Sequence, residues 1–128
     1  MSESHGTVHW TELMTRDVES AKRYYEEVCG WSFTNVPMGA EGADYTLGMK
    51  DGLPVIGMMH FDDENQEPFW MSYFAVDDVD AAVKDAVAAG GTLLREPFDV
   101  PDTGRIAIVT DPDGALFGLM TPAPMDGG

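Results

Sequence analysis

The sequence predicts an α+β fold built from two copies of one strand–helix–strands unit, and three observations carry that prediction. The first is an internal repeat: Asp17-Val18-Glu19-Ser20-Ala21 returns 61 residues later as Asp78-Val79-Asp80-Ala81-Ala82. The same offset takes Gly30 to Gly91, Thr11 to Ser72, Leu13 to Phe74, and Gly57-Met58-Met59 onto Gly118-Leu119-Met120. The second is a pair of apolar stripes at helical spacing, and the third is strand-like alternation punctuated by turn dipeptides. The 128 residues read as one domain, with module one at about 6–61, a linker at 62–68 and module two at about 69–122.

Each element has a local reason. Val8–Leu13 alternates as a half-buried strand does. Asp17 then caps a helix in which Val18, Ala21, Tyr25 and Val28 form one stripe, and Gly30 stops it. Cys29 falls in its last turn, a packing position. Tyr45–Lys50 and Val55–Phe61 read as strands around the turn dipeptide Asp51-Gly52. Asp62–Pro68 is an acidic, solvated loop. In the second copy, Trp70–Val76 is the first strand. Asp78 caps a helix with Val79, Ala82, Val83, Ala86 and Val87 on one face, ended by Gly90-Gly91. Arg105–Thr110 and Ala115–Met120 are strands around Asp113-Gly114, and a tail follows Pro122.

Composition removes several functions. Asp and Glu number 23 against 7 Lys and Arg, for a formal charge of -16. Nucleic-acid binding needs cations to neutralise phosphates, and an anionic membrane surface would repel this protein. The charge suits a salt-rich medium, where screening weakens self-repulsion. No apolar run approaches the roughly 20 residues of a membrane span. The N-terminus is polar and acidic, without the basic and apolar regions of a signal peptide, which points to the cytoplasm. A single cysteine excludes an intrachain disulfide and a cysteine-based metal cage.

The duplicated βαβββ unit resembles the vicinal oxygen chelate superfamily of glyoxalases, bleomycin-resistance proteins and extradiol dioxygenases. The resemblance runs from Gly6 to Pro122. It rests on Trp10-x-Glu12-Leu13 leading to Asp17 and Tyr24-Tyr25, then Gly30-Trp31, Val76-Asp77-Asp78-Val79-Asp80-Ala81, Gly90-Gly91, Gly104-Arg105 and Asp111-Pro112-Asp113-Gly114. The opening motif and the Asp-Gly-x-Pro-Val-x-Gly run look closest to the hydroxylase-like, antigen-type glyoxalase subgroup. The resemblance implies one curved-sheet domain with an internal cleft, and a homodimer by analogy of fold. It also implies a metal ligand on the first and last strand of each module, at positions that fall here on Trp10, Gly57, Met71 and Gly118. Indole nitrogen only donates, thioether is weak and glycine has no side chain, so the inherited metal site is expected to be absent. His9 and His60 have the wrong strand parity to replace it, and His5 sits in a tail.

Alternation puts Trp10 and Glu12 on the cleft face, with Met71, Tyr73 and Ala75 from the second module. Val55, Met59, Leu116 and Met120 follow by the same parity, and the two glycines are expected to leave room. Such an apolar, aromatic, Met-rich lining suits a small organic ligand held by Trp10, Met59, Met71, Tyr73, Arg105 and Met120. Glu12 is the candidate catalytic residue: desolvation beside Trp10 and Tyr73 would fit it for acid–base work. Its alternative reading is a structural carboxylate bonded to backbone or to a tyrosine hydroxyl. Arg105 either forks onto a ligand carboxylate or pairs with a neighbouring Asp. Trp31 and Trp70 read as packing residues.

Function stays open among three readings. The leading one is a metal-independent protein that needs no cofactor and binds a small apolar or aromatic molecule, by sequestration or with Glu12-assisted proton transfer. The alternative is a metal-dependent glyoxalase-like lyase or dioxygenase with a rearranged site. The third is an interaction module whose cleft is filled by its own side chains.

Overall fold

The computed structural model describes residues 4–37, 44–100 and 103–122. Their elements run β1 (Val8–Thr15), α1 (Val18–Cys29), β2 (Ser32–Pro37), β3 (Asp44–Lys50), β4 (Leu53–His60), β5 (Phe69–Ala75), α2 (Val79–Ala88), β6 (Thr92–Val100), β7 (Gly104–Thr110) and β8 (Leu116–Pro122). The fold is α+β, with two βαβββ modules, as the repeat predicts. Two compact units divide the chain: Trp10–Met71, and Ser72–Gly128 together with Met1–His9. The N-terminal segment therefore belongs with module two, where Gly6 N–H donates to the Ala75 carbonyl and Ala75 N–H to the Thr7 carbonyl.

Module one orders its strands β2-β3-β4-β1. α1 starts where Asp17 accepts from Ser20 N–H and ends at Gly30, whose φ of 72° is the left-handed cap that glycine adopts without strain. Its stripe meets the sheet over a cluster of Leu13, Ile56 and Met58, covered by Val18, Ala21, Tyr25, Trp31 and Phe33. Val28, the last stripe position, is exposed. Cys29 is exposed too, which corrects the packing role expected of it. Tyr25 stacks on Trp31 with centroids 5.6 Å apart, and Trp70 meets Tyr25 edge-on at 5.5 Å, so both tryptophans do pack. Asp51 and Gly52 both take positive φ, 52° and 79°, as a two-residue hairpin turn requires.

Module two orders its strands β5-β8-β7-β6. Asp78 caps α2 by accepting from Ala81 N–H, and Val79 and Val83 are buried in a cluster with Ala107, Val109 and Leu119. Val87 is exposed, so this stripe also ends a turn early. The strand register repeats the sequence repeat. Glu12 pairs with Gly57 in module one as Tyr73 pairs with Gly118 in module two, and Leu47 with Gly57 as Ile108 with Gly118. Two strands that the sequence pattern does not delimit, β2 and β6, follow the helices. β6 carries Pro97 and two register shifts, the marks of an edge strand.

Candidate functional site

On module one, Trp10 and Glu12 stand two residues apart on β1 and share a face, with Gly57 beside Glu12 on β4. Leu13 faces the other way, into the helix-side cluster. Glu12 is only 4% exposed. Its Oε1 accepts a hydrogen bond from the Tyr45 hydroxyl at 2.7 Å, and that hydroxyl accepts from Trp10 Nε1–H at 2.8 Å. The three side chains form one hydrogen-bonded chain, in which the indole donates to the phenol and the phenol to the carboxyl. Its Glu12–Tyr45 link is the tyrosine contact that the alternative reading of Glu12 named.

Gly57 is what admits this arrangement. A Cβ added there would overlap the Tyr45 hydroxyl and stand 2.9 Å from Trp10 Nε1. The room that the sequence leaves open at this glycine is therefore taken by Tyr45. In module two the same correction holds by another route, because a Cβ on Gly118 would overlap the edge of the Tyr73 ring. A ligating side chain has no space at either glycine, and Trp10 and Met71 lack suitable donor atoms. The residues at the family's four ligand positions do not fit a metal.

The remaining predicted residues separate by surroundings. Met71, Tyr73 and Met120 are buried, Met59 is half-buried and Val55 is exposed. Arg105 does not wait for a ligand: its Nε and Nη2 fork onto Asp80 at 2.8 and 3.1 Å, and its Nη1 reaches Asp99 at 3.2 Å. That hydrogen bonding holds the Asp80 carboxyl below its ordinary value and raises the guanidinium above its own, Asp80 contributing before Asp99. Of the histidines, His9 is exposed, His60 lies 3.3 Å from Asp62, and His5 Nδ1 accepts from Asp77 N–H at 2.9 Å. Among the described residues no three His, Cys, Asp or Glu side chains gather as a metal would need. None of their helices is long and apolar enough to cross a membrane.

Tyr45 is the site residue that sequence reasoning missed. Its signal is a tyrosine on the strand next to a glycine, and it becomes readable only once the β3–β4 register is known.

Comparison with known proteins follows the same line. The family described as Glyoxalase/Bleomycin resistance protein/Dioxygenase superfamily matches residues 7–119. A candidate glyoxylase of Mycobacterium tuberculosis, CFP32, is 37% identical over 117 residues, covering 89% of this chain and 45% of its own length. The anthracycline biosynthesis protein DnrV of Streptomyces peucetius is 31% identical, over 95% of this chain and 49% of its own. The chain thus spans about half the length of these curated relatives. A candidate lactoylglutathione lyase of Vibrio cholerae is 31% identical over 91% of both chains. Among solved structures, methylmalonyl-CoA epimerase from Mycobacterium tuberculosis shares the fold, with a TM-score of 0.67, 21% identity, and coverage of 97% of this chain and 93% of its own.

Proposed function

The chain belongs to the glyoxalase/bleomycin resistance protein/dioxygenase superfamily, and we propose that it handles a small apolar or aromatic organic molecule without a metal, with Glu12 as its acid–base group. The ligand rests against the module-one face that carries Trp10, Glu12 and Met59. One observation carries this reading: the space beside Gly57 is occupied by the Tyr45 hydroxyl, hydrogen-bonded to Trp10 and to a buried carboxylate. A metal-using member would need a ligand there. A polar chain in an otherwise apolar and aromatic setting is the usual make-up of a site that orients a small organic molecule. Trp10 offers an aromatic surface and Met59 an adaptable one. The relative named for anthracycline biosynthesis supports an aromatic ligand class.

The test starts with the ligand. Native mass spectrometry of the purified protein should find a co-purifying organic molecule, and Trp10→Ala should weaken its retention at least tenfold. Once a substrate is known, Glu12→Gln should abolish turnover while leaving binding within a few-fold. Unchanged turnover in that variant removes Glu12 from the chemistry, and a protein that retains no ligand in any screen removes the binding reading.

A second reading is favoured by the near full-length match to the candidate lactoylglutathione lyase. It is a metal-dependent lyase with rearranged ligands, and metal analysis separates it from the first.

A further inference from the structure

Gly57 and Tyr45 pose a question that the loss of a metal site does not answer. If glycine at 57 were only a lost ligand, nothing would require a neighbouring strand to fill the gap with a hydrogen-bonding group. Here the gap holds a phenol with two defined partners, at 2.8 Å from Trp10 Nε1 and 2.7 Å from Glu12 Oε1. The chain also has a direction. An indole nitrogen can only donate, so its bond occupies a lone pair of the Tyr45 oxygen, and the phenol proton goes to Glu12. Glu12 Oε1 is thereby an acceptor. That bond fixes which oxygen of the carboxyl faces the phenol.

The equivalent positions in module two mark how specific this is. The offset of 61 takes Glu12 to Tyr73 and Tyr45 to Ile106. Tyr73 fills its own module's glycine gap with a ring edge, and Ile106 has no hydroxyl to bond. The fold therefore also accepts a ring edge at this place, and module one puts a hydroxyl there instead.

We infer that Tyr45 is a positioning residue for Glu12: standing in the space beside Gly57, it orients the carboxyl and occupies its Oε1 as a hydrogen-bond acceptor. The inference rests on the reading of Glu12 as the acid–base group. Trp10 in turn fixes the phenol, and Gly57 is the condition for both. The indole end has no lone pair to take a proton, so the Trp10–Tyr45 chain polarises Glu12 without relaying protons to or from it.

The test reads the coupling directly and needs no ligand. In ¹⁵N-labelled protein the indole N–H signal of Trp10, assigned by its loss in Trp10→Phe, reports its bond to Tyr45, while Trp31 and Trp70 report that module one is folded. Glu12→Gln should shift the Trp10 signal in the wild-type background. In a Tyr45→Phe background the same substitution should shift it by less than about one fifth as much, since coupling between two sites vanishes when their link is removed. Equal shifts in both backgrounds, or none in the wild type, overturn the inference. If Tyr45→Phe does not fold, uniform replacement of tyrosine by 3-fluorotyrosine, whose phenol is a stronger donor, should move the Trp10 signal and leave Trp31 shifted less; an unmoved Trp10 signal overturns it as well. These outcomes are independent of the functional reading, which fails instead on a missing ligand or on turnover that survives Glu12→Gln.

Discussion

The two modules solve one problem in two ways. Each has the same register, with a glycine on its last strand opposite Glu12 in one and Tyr73 in the other. Module two fills the gap from the paired strand itself, with the Tyr73 ring beside Gly118. Module one fills it from a third strand, and the filling group is a hydroxyl that binds two side chains. A ring against a glycine is packing. A hydroxyl between an indole and a buried carboxylate is packing with a direction of charge. A repeat can thus keep its backbone and still fill the same space with different side-chain chemistry in each copy.

Substituting the two glycines sharpens that contrast most. At Gly118 an added methyl meets the ring at Cδ1 and Cε1 and comes within 3.1 Å of Cγ, close to the Tyr73 backbone attachment. That part of a side chain cannot swing away. Gly118→Ala should therefore cost about 3 kcal/mol, the upper range for overpacking, or roughly 10 °C in Tm. At Gly57 the first atom met is the far end of Tyr45, which can turn aside once its hydrogen bonds break. Gly57→Ala should cost about 1–2 kcal/mol while moving the Trp10 indole signal far more than Gly118→Ala does. Thermal melts and one spectrum of each variant decide it. Equal melting losses with an unmoved indole signal would break the comparison.

The helices offer a smaller contrast. Val79 on α2 is 1% exposed, whereas its counterpart Val18 on α1 is half-buried, and α1 buries none of its residues fully. Val79→Ala should cost about 2 kcal/mol and Val18→Ala about half that, read by denaturant midpoints.

The smallest effect lies on the surface of module two. Arg105 holds the Asp80 carboxyl below its ordinary value of 3.8, so the native state favours ionised Asp80. The stabilisation is present above that ordinary value and is lost as pH falls through the lower, native one. Arg105→Gln should thus lower Tm slightly at neutral pH, and the difference from wild type should shrink and vanish as acidification carries Asp80 through its lowered native value. High salt should narrow it as well, because the pair is solvent-exposed. A difference that grows on acidification would contradict the pairing.

Much of the fold was legible because the repeat and the caps are local signals. Asp17, Asp78 and Gly30 cap where their residue types predict, and Asp51-Gly52 turns as such a pair does. The helix faces were readable for two turns and failed at the exposed Val28 and Val87, since periodicity gives the face of a helix and not what covers each turn of it. Alternation placed Glu12 beside Trp10, and the family resemblance pointed to Trp10 and the two glycines. Tyr45 was hidden by a bulge. A regular two-residue hairpin that pairs Lys50 with Leu53 would put Tyr45 opposite Met58, on the helix side of the sheet. The register shift between Gly48 and Met49 moves the pairing by one residue and turns Tyr45 to the face of Gly57. Gly48 stands at that shift, and a glycine inside a strand is the residue type that marks a bulge. Arg105 was legible only as a choice between a ligand and an aspartate, and the position of Asp80 one residue into α2's first turn decides for the aspartate.

We propose that this member of the family works without a metal because its four ligand positions carry Trp10, Gly57, Met71 and Gly118, with Tyr45 and Tyr73 filling the space beside the two glycines. Inductively coupled plasma mass spectrometry of the purified protein, after incubation with Zn, Ni, Mn and Fe(II) and removal of excess, tests it most directly. A metal-independent protein should retain well under a tenth of an equivalent of each metal and show no change in Tm on their addition. One tightly held equivalent of any of them would contradict it.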